Sequence, residues 1–101
     1  MVIITKGIIH AFTDKHPNAS APLNDWYEKA KSSSWKNLAA VKQTFNSVDP
    51  VGNDRYVFDI EGNNFRMIAM IRFNIRTVYT RAILTHKEYD HLNKTGKLNK
   101  L

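Results

Sequence analysis

Two spacings divide this chain. Up to about residue 46, apolar positions recur every three to four residues, as on one face of a helix; from Arg55 to Thr85 they alternate, as on a strand. Val2-Ile3-Ile4-Thr5 reads as a short strand, and residues 6–15 as a short helix with Ile8, Ile9 and Phe12 inward, stopped by Pro17. Ser20 is placed to cap a second helix, with Pro22 in its first turn where a missing N–H costs nothing. Leu23, Trp26, Tyr27 and Ala30 then fall on one side of it, and the serines at 32–34 end it. A third helix turns Leu38, Val41 and Phe45 inward and Lys36 and Lys42 outward. Both tryptophans, Trp26 and Trp35, read as core. Asp49-Pro50 and Gly52-Asn53-Asp54 read as turns.

In the second half Tyr56, Phe58 and Ile60 alternate up to the hairpin signal Glu61-Gly62-Asn63-Asn64. Phe65, Met67, Ala69, Ile71 and Phe73 alternate next, Asn74-Ile75-Arg76-Thr77 turns the chain, and Val78 to Thr85 makes another strand. A tight turn at Gly62-Asn63 sets Asp59 opposite Arg66, and one at Ile75-Arg76 sets Arg66 opposite Thr85. One face then carries Tyr56, Phe58, Ile60, Phe65, Met67, Ala69, Ile71 and Phe73 with Val78, Ala82 and Leu84, and the helices must cover it. The other carries Arg55, Asp59, Arg66, Arg72, Tyr79, Arg81 and Thr85, with Val57, Ile68, Met70 and Ile83 among them. The expected architecture is α/β of the α+β kind. N-terminal helices lie on one face of a mostly antiparallel sheet of four or five strands, followed by a short C-terminal helix stopped at Gly96. The chain, 1–101, has room for a single domain. Its last residues, Asn93 to Leu101, read as a polar, basic tail.

Charge sharpens this picture. Residues 1–61 hold seven basic and seven acidic side chains, while residues 62–101 hold eight basic ones against Glu88 and Asp90, so the second segment carries the whole net +6. All five arginines (55, 66, 72, 76, 81) fall in one stretch and all ten lysines outside it. Arginine suits planar, bidentate phosphate contacts, so the segregation points to a polyanion, nucleic acid first. With no cysteine, disulfides, thiolate metal sites and a cysteine nucleophile are excluded. The apolar N-terminus is broken by Lys6 and His10 and lacks a small-residue cleavage site, and no run approaches a membrane span. A cytoplasmic protein is expected, on which the sequon at Asn18 means nothing.

The chemistry concentrates where the last strand ends, at Thr85-His86-Lys87-Glu88-Tyr89-Asp90. Part of it is structural: Thr85 with Glu88 fits a capping box. On the helix so started, His86, Tyr89 and Asp90 share a side, with Lys87 and His91 adjacent. Cutting RNA without a metal needs a base for the ribose 2′-OH, an acid for the leaving 5′-oxygen, and cations against the phosphorane charge. Imidazole can serve as either base or acid. Tyr89 or Asp90 supplies a second proton-transfer or orienting group, with Arg66 and Lys87 for phosphate. Arg55, Arg72, Arg81 and Lys94 are the candidate RNA contacts. A two-metal nuclease wants clustered carboxylates that residues 62–101 lack, and no zinc spacing, glycine-rich phosphate loop or serine elbow is present. No cofactor or metal is expected. A module that only binds RNA fits the same residues.

The order Tyr56-Val-Phe-Asp-Ile-Glu-Gly-Asn-Asn-Phe-Arg66, the strand around Val78 to Leu84, and then THKEYD resembles the HigB branch of the RelE/ParE toxin superfamily. Lys15-His16-Pro17, the Trp26 helix and SSSWKNLAAVKQTF fit the same branch, so the likeness covers nearly the whole chain. It implies a bacterial type II toxin with a RelE-like fold, acting as a ribosome-dependent mRNA endonuclease that cuts translated messages without metal. It also implies a HigA-like helix-turn-helix antitoxin as partner, through which alone the toxin meets operator DNA. By position, the resemblance puts the active site on Arg66, His86, Lys87, Tyr89 and Asp90. Some toxins of this fold act on DNA gyrase and cut no RNA.

Overall fold

A computed structural model describes residues 1–62 and 64–101. A five-stranded sheet has the order β1-β5-β4-β3-β2, where β1 is Val2–Ile4, β2 Val48–Gly52, β3 Arg55–Ile60, β4 Phe65–Arg72 and β5 Thr77–Thr85. β1 runs parallel to β5; every other pairing is antiparallel. Helices α1 (Ile8–Lys15), α2 (Ser20–Lys31) and α3 (Leu38–Thr44) precede β2, and α4 (His86–Lys94) follows β5 directly. This is the α+β arrangement expected. No helix among the described residues is long and apolar enough to cross a membrane.

Local chemistry sets the boundaries. Asn37 caps α3, its side-chain oxygen accepting from the Ala40 N–H at 3.0 Å. Ser20 does not cap α2 as expected, because a turn of 3-10 helix at Pro17–Ala19 runs straight into it and Ala19 takes the cap position. The hydroxyls of Ser32 and Ser33 donate to the Glu28 and Lys29 carbonyls, which drains the last turn and ends the helix. Asp49-Pro50 is no turn: it lies within β2. That strand is an edge, where a proline is tolerated. Asn53 and Asp54, both at positive φ (55° and 59°), make the two-residue turn from β2 to β3.

The core lies between one sheet face and α1 to α3. Trp26, Trp35, Phe45 and Phe58 form its aromatic centre, with Phe58 5.5 Å from both Trp26 and Phe45 in edge-on contacts. Leu23, Val41, Met67, Ala69, Ile71 and Val78 complete it, all buried.

Two register findings position the site. Asp59 does face Arg66 across β3 and β4. Asn63, half of the expected Gly62-Asn63 turn, lies outside the described residues. Across β4 and β5 the expectation fails: Arg66 faces Leu84, and Thr85 faces Phe65. The loop at Phe73–Arg76 first shifts the pairing to Arg72 opposite Thr77, which keeps the faces. Arg81 then bulges between the Ala69–Thr80 and Ile68–Ala82 pairs, and one extra residue exchanges the faces beyond it. Ile83 therefore joins the main core, while Ala82 and Leu84 go to the opposite side.

That opposite side is not the open arginine surface the alternation implied. Val57, Ile68 and Leu84 form a second small core with Leu98, and Val51, Ala82, Tyr89, Leu92 and Leu101 pack against it. The tail reaches it through a glycine turn. Gly96, at φ 68°, closes α4 with its N–H on Asn93 O and that of Lys97 on Leu92 O, the paired bonds of a Schellman cap.

Candidate active site

α4 starts where the sequence placed it. The Thr85 hydroxyl accepts from the Glu88 N–H at 3.3 Å, and Glu88 Oε1 accepts from the Thr85 N–H at 2.9 Å. Glu88 is thus a structural residue, and its reciprocal bonds fix the direction in which the first turn shows its side chains. That turn presents His86 and, one turn later, Asp90, whose Oδ2 lies 3.2 Å from His86 Nε2. Both are about half exposed, so the contact orients the ring more than it stabilises the fold.

Arg66 comes from β4 to meet this helix. Its guanidinium carbon lies 5.2 Å from the centre of the Tyr89 ring, a cation–π contact. Nε lies 3.0 Å from Asp59 Oδ1 on the neighbouring strand, and Nη1 donates to the Phe65 carbonyl at 3.3 Å. Arg66 is only 9% exposed, so its charge is held in a low-dielectric position beneath Tyr89 rather than standing on the surface. It nevertheless lies on the second face, against Tyr89, and not in the aromatic core.

The expected cluster is thereby divided. Tyr89 leans inward over Arg66 and the second core. His86 and Asp90 pair beside it on the solvent side of the helix. Lys94 follows Asp90 by one helical turn on the same flank. Lys87 does not join them. It points around the helix and lines a hollow with Leu84, Glu88, His91 and Leu92.

The other expected RNA contacts are engaged within the chain. Arg55 donates from Nε and Nη2 to the Leu101 main-chain oxygen at 3.1 and 2.8 Å, and Arg81 Nε donates to the same oxygen at 3.1 Å. Arg72 Nη1 lies 3.6 Å from Asp54 Oδ2, with both side chains about half exposed. The tail is further tied by Asn53 donating to Asn99 O and by Asn99 donating to Val51 O, at 3.0 and 3.2 Å. Sequence reasoning missed this strap, and the available signal was Leu98 and Leu101, three residues apart just after a helix-stopping glycine. Among the described residues, no three of His, Asp or Glu gather as a metal ion would need.

Residues 19–92 match the family model described as HigB_toxin, RelE-like toxic component of a toxin-antitoxin system. The chain is 31% identical to the mRNA interferase HigB of Escherichia coli O6:H1, over 99% of both chains. It is 30% identical to the mRNA interferase HigB of Shigella flexneri, over 89% of this chain and 88% of the relative.

Proposed function

Because this chain belongs to the HigB family of RelE-like toxic components of toxin–antitoxin systems, we propose that it is an mRNA interferase, an endoribonuclease working from the α4 site. Cleavage is of messages under translation on the ribosome, in the cytoplasm, and a HigA-like antitoxin neutralises it.

The observation carrying this reading is the meeting of Arg66 with Tyr89 on the helix that also presents the His86–Asp90 pair. A His86 Nε2–H donating to Asp90 leaves the Nδ1 lone pair to take the ribose 2′-OH proton. The 2′-oxygen attacks the adjacent phosphorus, the bond to the 5′-oxygen breaks, and that oxygen takes a proton, for which the Tyr89 hydroxyl is the neighbouring donor. Negative charge grows on the phosphorane meanwhile, and the Arg66 cation, fixed by Asp59, favours it without moving. Lys94, and Lys87 from the other flank, draw the message in. Their charges attract any RNA, so sequence choice comes from the ribosome's hold on the message.

The chemistry has a direct test. Message cut on translating ribosomes should end in a 2′,3′-cyclic phosphate, with a 5′-hydroxyl on the downstream piece. Ends bearing a 3′-hydroxyl and a 5′-phosphate, or equal cutting of free and translated message, would overturn the mechanism or the ribosome requirement respectively.

A further inference from the structure

We infer that the antitoxin docks in a groove between α1 and α4, and that the groove takes an amphipathic helix whose apolar residues are flanked by carboxylates. This rests on the toxin–antitoxin reading above. Two hollows meet there. In the first, of about 330 Å³, Ile8, Ala11 and Phe12 of α1 face Ile83 of β5. In the second, of about 440 Å³, Leu84 and Leu92 supply the apolar floor. Glu88 lines both, so the two hollows adjoin at its side chain.

The rim is basic. Lys15 and His16 border the first hollow, Lys87 and His91 the second. Glu88 is the one acid among the described lining residues, and its Oε1 is already turned back onto the Thr85 N–H. An apolar floor between cations matches an acidic amphipathic helix, which brings side chains at i, i+3 or i+4 and i+7 for the floor and carboxylates for the rim. Two other occupants fit worse. RNA would need open ring faces, yet Phe12 is already stacked on His16 at 4.5 Å. A second copy of this chain would bring its own +6 charge against the same rim.

The position explains neutralisation. α4 bears the groove on one flank and the His86–Asp90 pair on another, so an occupant of the groove crowds the approach of message to that pair.

Two substitutions outside the proposed catalytic residues test this. Ala11→Trp fills the first hollow from an exposed helix position, and Lys15→Glu reverses an exposed rim charge. Each variant is purified as the complex with the cognate antitoxin and separated from it. Folding is checked by circular dichroism, and the antitoxin's affinity is measured by calorimetry. Binding should weaken about tenfold or more, and growth arrest should persist in cells that also make the antitoxin. Antitoxin binding as tight as wild type in both variants would overturn the inference. So would variants that lose message cleavage but keep antitoxin affinity, since the groove would then be an RNA surface. A wild-type chain that binds antitoxin yet cuts no message would instead remove the proposed activity and leave the docking result standing.

Discussion

The guanidinium of Arg66 lies 5.2 Å from the ring centre of Tyr89, joining the middle of the sheet to the first turn of α4. Neither residue reaches the other by sequence proximity. The contact exists because the Arg81 bulge brings β5 out beside β4 with Leu84 opposite Arg66, so that α4 begins over the arginine. A straight β5 kept in the Arg72–Thr77 register would have put Ile83 there instead and turned Leu84 into the main core.

Asp59 is what keeps that arginine in place. The pair is largely buried, with side-chain exposures of 11% for Arg66 and 29% for Asp59. Removing one partner leaves a charge with poor solvation, so Asp59→Ala should cost about 2–3 kcal/mol. Urea unfolding would show this as a lower midpoint with an unchanged slope. Cleavage by the folded fraction should fall as well, because the cation loses its anchor.

Glu88 stands inside the site's sequence and outside its chemistry. Glu88→Ala breaks half of the capping box and should lower stability by about 1 kcal/mol. Turnover should stay within a few-fold of wild type. A collapse of cleavage without a matching loss of stability would give Glu88 a chemical role.

The second core is as much part of the fold as the first. Leu98 is 3% exposed on it, so Leu98→Ala should cost about 2–4 kcal/mol. An unfolding midpoint within error of wild type would mean that the tail only rests on the sheet.

Burial raises the Tyr56 phenol above its ordinary range, and the Asp54 carboxylate adds to the effect. The folded chain thus holds that proton more tightly than the unfolded one. The associated stability is present below about pH 10 and drains away as pH rises through the folded value. Tyr56→Phe keeps the edge contact with Phe73 and should flatten this alkaline decline. Unfolding free energies measured from neutral to alkaline pH, variant against wild type, read the difference directly.

The parts legible in the sequence were those fixed by neighbouring residues. The hairpin signal Glu61-Gly62-Asn63-Asn64 in the sequence and the alternation on both sides settled Asp59 against Arg66, and Thr85 with Glu88 settled the start of α4. What escaped depended on partners far along the chain. The Arg81 bulge leaves Val78 to Leu84 looking like an ordinary strand, and only β4 reveals the extra residue. Pro50 looks like a turn unless one knows that its strand is an edge. The tail reads as solvated because Leu98 and Leu101 are sparse, and the surface they cover is built largely from earlier strands, by Val51, Val57, Ile68 and Leu84. For the same reason Arg55 and Arg81 looked like open RNA contacts, whereas the strap holds both.

The most direct measurement is the mapping of message 5′ ends after induction of wild type, His86→Ala and Tyr89→Phe, with the message translated or its start codon removed. His86 and Asp90 are about half exposed, and Phe keeps the Tyr89 ring over Arg66, so both variants should fold. Wild type should produce new ends only in translated message, and each variant should lose them by about a hundredfold or more while still binding antitoxin. Undiminished cutting by both variants, or arrested growth with intact message under wild type, would contradict an RNA-cleaving centre on this helix.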